Sequence, residues 1–533
     1  MKVLMVAAEN DAIPGGKVGG IGDVVRDIPI ALASKGHQVD VVTPGYGAFS
    51  ALPGSERVGT LQVMFWGQRQ AVDIFRVPGK KPWKNVTLWV LEHPLFAAGG
   101  PGKIYCDDPG NRPFATDASK FALFSVAVAQ AIIEGRFAAI DVLHLHDWHA
   151  AMVSVLRAFD PTYKALKSIH TVYTIHNLAL QGVRPMAGDE SSLRAWFPYL
   201  NYDAQRLNDP RAPHCINPMR AGINLSDKVH AVSPTYAREI QQASDPVQGF
   251  FGGEGLHEDL ERAAKENRLH GILNGCEYPG PTTKTLSAGE LFLQCETQLL
   301  QWVGRKPGVE SAHFIASRRL AHNISALSSA ANSPQGLQKQ PFLATSVGRI
   351  TDQKMLLLRQ RMSDGETALD HLLNVLGDEG MLVLLGSGDV GLEQFLTEVS
   401  SRRTNFIFLK GYSETISLSL YSSGDLFLMP SSFEPCGISQ MLAMRAGQPC
   451  LVHSVGGLND TVRDAEDGFA FSGASLQQQA ENMIVSFKAA VQLKSADPAQ
   501  WQRIASSAAA ARFLWSDVAD EVVRSLYTNS LHR

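Results

Sequence analysis

At 533 residues the chain is longer than one core normally organises, and 45% apolar content with 46 Gly and 27 Pro suits a compact α/β enzyme. A net charge of −4, from 48 basic and 52 acidic residues, excludes a global nucleic-acid or membrane-surface signal, so an anionic ligand must be met by local cations. The six cysteines (106, 215, 276, 295, 436 and 450) form no CxxC pair, which argues against a zinc ribbon or disulfide framework and for a reduced compartment.

The amino terminus reads Lys2, a six-residue apolar run and then Glu9-Asn10-Asp11, too short and too acidic at its end for a secretory signal. No window approaches 18 uninterrupted apolar residues. A cytoplasmic protein with no membrane partner is expected. Val3–Ala8 predicts a buried strand, followed by a glycine-rich loop, a helix over Ile21–Ser34 and a strand at Gln38–Val42. Further strands are expected at Val86–Leu91, Val142–His146, Ser168–Ile175 and Lys228–Val232. The same alternation resumes with strands at Leu343–Val347, Met381–Leu385, Asn405–Phe408, Leu426–Met429 and Pro449–Val452, and a helix over Gly437–Arg445.

Alternating strands and helices predict two doubly wound, Rossmann-like α/β domains, with ligands held in a cleft beyond the strand ends. The expected division is 1–272, 273–510 and a C-terminal helix over 511–533 able to cross back to the first domain. Within the second domain, Tyr278–Pro341 reads as an extended, irregular connection with some helix.

Several strand ends carry chemistry. Lys17-Val18-Gly19-Gly20 offers a cation and a glycine turn before a helix, an arrangement that suits phosphate, although it also reads as a plain tight turn. His144-Leu145-His146-Asp147-Trp148-His149 ends a strand; it lacks a partner motif for metal, and His149 is placed to reach a substrate hydroxyl. Thr174-Ile175-His176-Asn177 and Asn274-Gly275-Cys276-Glu277 read equally as turns. Arg349 and Lys354 flank a short loop and suit a diphosphate leaving group. Tyr412 suits stacking on a base. Pro430–Val462 sets Glu434 on a turn that opens a helix and returns to Gly456-Gly457.

Together these motifs resemble the bacterial glycogen synthases and plant starch synthases, retaining glucosyltransferases of the GT-B type. KVGGIGDVV, HLHDWHA, TIHNLALQG, LSDKVHAVSPTYAREI, ILNG, VGRITDQK, LLGSGD, GYSE, FEPCGISQ and VGGLNDTV match in order along the chain. The resemblance implies transfer of glucose from a nucleoside-diphosphate glucose, with ADP-glucose favoured over UDP-glucose, to the 4-hydroxyl of an α-1,4-glucan with retention. It implies that Lys17, Gly19 and Gly20 hold the donor diphosphate opposite Arg349 and Lys354, and that His149 contacts the transferring glucose. Glu434 would lie close to that sugar, with Cys436 and Gly437 lining it. Gly456 and Gly457 would add backbone donors, Tyr412 would lie against the base and Asn274 would face the cleft. His176 and Asn177 belong to the same substrate-binding set, and Asp117, in ATDASKF, resembles an active-site aspartate. No metal or other cofactor and no nucleic-acid partner is implied, and a homo-oligomer is compatible. The pattern departs at Val18, where the family has Thr, at Cys276-Glu277, at Met355 and over Tyr278–Pro341. Those departures point to the acceptor as the uncertain element, with a small non-polymer acceptor or a non-catalytic binding relative as the alternatives.

Overall fold

The computed structural model describes residues 1–278, 280, 284–305, 307–331 and 341–528. Parts of the expected connection (279, 281–283, 306 and 332–340) and of the expected C-terminal helix (529–533) therefore lie outside the described residues. The chain divides into two compact units. The first comprises Met1–Ser244, Gly252–Glu277 and the chain from Leu514 onward; the second comprises Asp245–Phe251 and Tyr278–Phe513. The divisions thus fall after Glu277 and after Phe513 rather than after residues 272 and 510.

In the first unit the strands are β1 (Lys2–Val6), β2 (Gln38–Pro44), β3 (Glu56–Phe65), β4 (Gln68–Val77), β5 (Val86–Glu92) and β6 (Val142–His146). They continue with β7 (His170–Ile175), β8 (Arg184–Pro185), β9 (Asn208–Asp209), β10 (Ala212–Ile216), β11 (Lys228–Ala231) and β12 (Leu269–Gly271). Nine of them form one sheet in the order β12-β11-β7-β6-β1-β2-β5-β4-β3. Its central strands are parallel and buried on both faces, which is why they read as continuous apolar runs. The antiparallel hairpin β3–β4 was not among the expected strands. Its turn, Trp66-Gly67, has positive φ at both positions (53° and 69°), the geometry that matches strand twist, without the Asn-Gly or Asp-Gly pair that usually announces it.

The longest apolar helix, Ala115–Ile133, is long and apolar enough to cross a membrane by length and composition alone; it is 78% buried over that window and serves as a core helix. The chain from Leu514 also completes this unit. Trp515, Ala519, Val522, Leu526 and Tyr527 are buried there. The Tyr527 hydroxyl lies 2.7 Å from His144 Nδ1, and His170 Nε2 donates to the Leu526 carbonyl at 2.7 Å. A helix at Trp515–Val522 runs into a wider turn at Val523–Tyr527 rather than continuing unbroken.

The second unit holds an all-parallel sheet of β13 (Phe342–Val347), β14 (Gly380–Gly386), β15 (Phe406–Lys410), β16 (Leu426–Met429), β17 (Cys450–His453) and β18 (Gly468–Phe471). The order is β15-β14-β13-β16-β17-β18. Alternate residues of each strand enter two cores: Leu382 and Leu384 on one face, Met381, Val383 and Leu385 on the other. The connection expected to be irregular is mainly helical, with helices at Ala288–Gly304 and Ser311–Ala331. Ser287 and Glu290 form a capping box at the first, and Leu291, Phe292, Cys295, Leu299, Ala316 and Leu320 bury an apolar stripe in the second core. The Ser287-x-x-Glu290 signal stood in the sequence beside a proline-rich opening that obscured it.

Tyr527→Phe keeps the ring but leaves a buried His144 nitrogen without its partner, so a loss of about 1–2 kcal/mol is expected. Urea unfolding of full-length protein checks this; an unchanged midpoint would show that the C-terminal segment is not held by that bond.

Candidate active site

In a doubly wound sheet, the loops after two neighbouring strands part where the strand order reverses, leaving room for ligand. In the first unit that place lies between β1 and β6; in the second it lies between β13 and β16. Lys17, Gly19, Gly20 and His149 fall on these loops or the helix turns that follow them in the first unit, and Arg349, Lys354, Glu434, Cys436 and Gly437 do so in the second.

After β1 the chain stays buried through Glu9 and Asn10. A Cβ on Gly16 would stand 2.2 Å from the Asn10 carbonyl oxygen, so only glycine fits that turn. The glycine loop does not offer all its amides to a ligand: Val18 N–H and Gly19 N–H donate to Glu9 Oε2 at 2.8 and 2.6 Å, and Tyr105 donates to Glu9 Oε1 at 2.7 Å. The Gly19 amide is thus already engaged by a protein carboxylate. What remains for an anion is the first turn of the helix Gly20–Ser34, which has no side-chain cap, together with Lys17. Lys17 is 40% exposed and pairs with Asp23 at 2.7 Å.

After β6, Asp147 opens a short helix with φ of 54°, a conformation that a buried aspartate holds only where its surroundings fix it. Its Oδ1 accepts the His176 N–H at 2.7 Å, while burial pushes its carboxyl up to about 8. His149 follows, 5% exposed, packed among Trp148, Phe121 and Tyr105 at centroid distances of 4.3, 4.7 and 5.5 Å. Burial, with the Lys120 charge beside it, lowers its imidazole to about 3, so it is neutral at physiological pH. Its Nδ1 has no hydrogen-bond partner among the described residues.

The other histidines are committed within the unit. His144 meets Tyr527 and Thr174, Thr174 continues to His230, and His146 Nδ1 lies 2.9 Å from His176 Nε2. Asn177 Oδ1 accepts from Ala179 N–H at 3.0 Å, a self-capping loop. Asn274 is buried, its N–H donating to the Val232 carbonyl at 3.2 Å. Asp117 pairs with the fully buried Lys120 at 2.5 Å, and both its oxygens accept from Cys106 N–H at 3.2 Å. Its visible duty is to fix the 104–106 loop that carries Tyr105.

In the second unit, Lys354 sits in the first turn of the helix Asp352–Arg359. Its Nζ lies 2.6 Å from Glu434 Oε2, which also accepts from Ser431 Oγ at 3.1 Å. Arg349 is exposed and has no carboxylate partner among the described ion pairs. Glu434 is buried to 8% exposure. Gly437 turns with φ of 79°, and Gln440 donates to the Cys436 and Gly437 carbonyls, which fixes the turn. Gly456 and Gly457 lie close against the protein's own carbonyls. A Cβ on Gly456 would stand 1.9 Å from the Glu434 carbonyl oxygen, and one on Gly457 would stand 2.3 Å from that of Cys436. Gly457 N–H donates to the Glu434 carbonyl at 3.0 Å rather than outward. These glycines let two loops touch, and that contact aims Glu434. Tyr412 is 70% exposed on the loop after β15.

Sequence reading missed Glu9, Tyr105, Asp147, Ser431 and Gln440 as parts of these constellations. Glu9 was visible as an acid directly after a buried strand; Tyr105 and Asp147 meet partners 96 and 29 positions away, whereas Ser431 and Gln440 bond within four residues, inside the turn that carries Glu434.

Residues 2–262 match the starch synthase catalytic domain family model, and residues 331–488 match that of glycosyl transferases group 1. The chain is 35% identical over 469 residues to a glycogen synthase of Gloeobacter violaceus, covering 87% of this chain and 84% of that one. It is 30% identical over 555 residues to a glycogen synthase of Desulfitobacterium hafniense, covering 99% and 100%. The catalytic domain of starch synthase IV from Arabidopsis thaliana, bound to ADP and acarbose, matches in structure with a TM-score of 0.72 at 25% identity, covering 100% of this chain and 99% of that one.

The buried imidazoles make a pH prediction. Burial holds His144, His146, His149, His176 and His230 all below the ordinary imidazole value of 6.5, His149 at about 3 and His230 at about 4. The unfolded chain binds more protons than the folded one below pH 6.5, so this stability is whole above that pH and is lost as the pH falls toward the folded values. Asp147, raised from 3.8 to about 8, has the opposite slope, but it is one group against five. Urea midpoints at pH 7 and pH 5 should fall with acid, and His230→Gln should shrink the difference; a flat profile would contradict the assignment of neutral imidazoles.

Proposed function

The chain belongs to the family of glycogen and starch synthases, and on that premise we propose that ADP-glucose is its donor and the 4-hydroxyl at the end of an α-1,4-glucan its acceptor. It is a glycogen/starch synthase-like glucosyltransferase that retains the configuration of the transferred hexose. The single observation that carries the finer reading is the Lys354–Glu434–Ser431 cluster at the strand-order reversal of the second unit. Lys354 there is held by a carboxylate that also has a hydroxyl donor, so it is fixed before any ligand arrives.

In this reading Lys354 and Arg349 neutralise the diphosphate as the glycosidic bond to it breaks. The diphosphate oxygen that leaves takes the proton of the attacking 4-hydroxyl on the same face of the sugar. Within the first unit, Lys17 and the uncapped first turn at Gly20 offer positive potential to an anion. His149, neutral and with Nδ1 unpartnered, offers a hydrogen bond to a sugar hydroxyl without adding charge. Exposed Tyr412 supplies a stacking face for the base. ADP is favoured because the starch synthase IV relative is described with ADP bound.

Release of ADP from ADP-glucose and of UDP from UDP-glucose, each with glycogen, maltose or a polyol, tests the reading. Release is expected with ADP-glucose and glycogen; release only with a polyol would refute the glucan assignment. Lys354→Met should lower kcat/KM by about 10²–10³-fold with the circular dichroism spectrum unchanged. A variant within severalfold of the unmutated protein would remove Lys354 from the chemistry.

A further inference from the structure

The loop Lys410–Ser413, which carries Tyr412, is held from behind by residues of the segment that departs most from the family pattern. Gln298, Trp302, Glu310 and His313 lie on or beside the helices Ala288–Gly304 and Ser311–Ala331. Gln298 Oε1 accepts from Ser413 Oγ at 3.0 Å. Ser413 in turn caps the helix Glu414–Ser423. The Trp302 indole lies against Gly411, where a Cβ would stand 3.0 Å from the ring; Gly411 has φ of 154° and donates its N–H to the Gly386 carbonyl at 3.0 Å. His313 Nε2 donates to the Lys410 carbonyl at 2.9 Å, and its ring lies 6.2 Å from that of Trp302. Glu310 pairs with Lys410 Nζ at 2.6 Å. The same Lys410 pairs with Glu393 at 2.9 Å, and Glu393 Oε1 accepts from Gly388 N–H at 2.8 Å, tying in the LLGSGD loop.

Four side chains from one segment thus converge on three of four consecutive residues, leaving Tyr412 as the member whose ring is exposed. We infer that Gln298, Trp302, Glu310 and His313 are positioning residues for the donor nucleotide, setting the Tyr412 loop that meets the base and thereby the preference between adenine and uracil donors. This rests on the glucosyltransferase reading above and deepens it. The divergent segment becomes a determinant of the donor rather than of the acceptor. Physically, an exposed tyrosine alone is a poor base selector, because its ring sweeps many orientations. A loop pinned at its backbone from behind restricts that sweep, so less ordering remains to be done on binding.

The test uses full-length protein with Trp302→Ala, the conservative Trp302→Phe, and Leu300→Ala on the outer face of the same helix, where Leu300 is 62% exposed. Trp302→Ala should raise the KM for ADP-glucose about tenfold with kcat within about twofold and the glycogen KM unchanged, and should shift the ratio of kcat/KM between ADP-glucose and UDP-glucose. Trp302→Phe should restore most of the loss, and Leu300→Ala should match the unmutated protein. A donor KM unmoved by Trp302→Ala, a shift in the glycogen KM instead, or equal losses on both donors would overturn the inference. Gln298→Leu carries the same test if Trp302→Ala does not fold. Calorimetric titration with ADP alone separates the two readings. Weaker ADP binding by Trp302→Ala supports the positioning role even if the unmutated chain transfers no glucose, an outcome that would sink the glucosyltransferase reading. Unchanged ADP binding would sink the positioning role by itself.

Discussion

A parallel sheet built from right-handed crossovers must reverse its strand order somewhere, and both units depend on what they place at that reversal. At β13 and β16 the two departing loops carry Lys354 and Glu434, 2.6 Å apart. Neither charge is fully hydrated, since the carboxylate is 8% exposed, and each makes the other tolerable there. Breaking one half would strand the other, so the pair is structural as well as chemical. At β1 and β6 the departing loops carry the glycine turn and the Asp147–His149 segment.

The glycines of these loops show why a motif is a poor guide to atoms. Gly19 looks like a phosphate donor, yet its amide and that of Val18 are already satisfied by Glu9. A protein carboxylate that accepts both partly buried amides stabilises the turn ahead of any ligand. Gly456 and Gly457 follow the same logic: the missing Cβ atoms permit loop contact at the Glu434 and Cys436 carbonyls.

The parts legible in the sequence were those where one local physical rule dominates. Strands buried on both faces are continuous apolar runs, so β1, β6, β14 and β16 were placed to within a residue or two. The β3–β4 hairpin escaped notice because half its residues face solvent and its Trp66-Gly67 turn uses an uncommon pair. The helices at 288–331 were hidden by a proline-rich entry, although a capping box marked the first. Lys354 and Glu434 were recognised individually, but their ion pair spans 80 positions and could not be read from either motif. Glu9, Tyr105 and His149 come together only because Asp117 and Lys120 hold the 104–106 loop, a contact with no sequence signature.

The buried imidazole of His149 has a consequence for glycosyl transfer. As the bond to a diphosphate breaks, the sugar ring gains positive charge, and a cation nearby would oppose that change. Most histidines beside an anionic ligand would be drawn toward protonation. Here three aromatic neighbours exclude water, and the charge on Lys120 acts in the same direction, so the ring stays neutral well below physiological pH. Such a ring can bind a hydroxyl through one nitrogen without repelling the developing charge. The same burial holds several other histidines of the unit uncharged, and each of them opposes folding as the pH falls. The enclosure that keeps His149 neutral is therefore also what ties its imidazole to the expected loss of stability in acid.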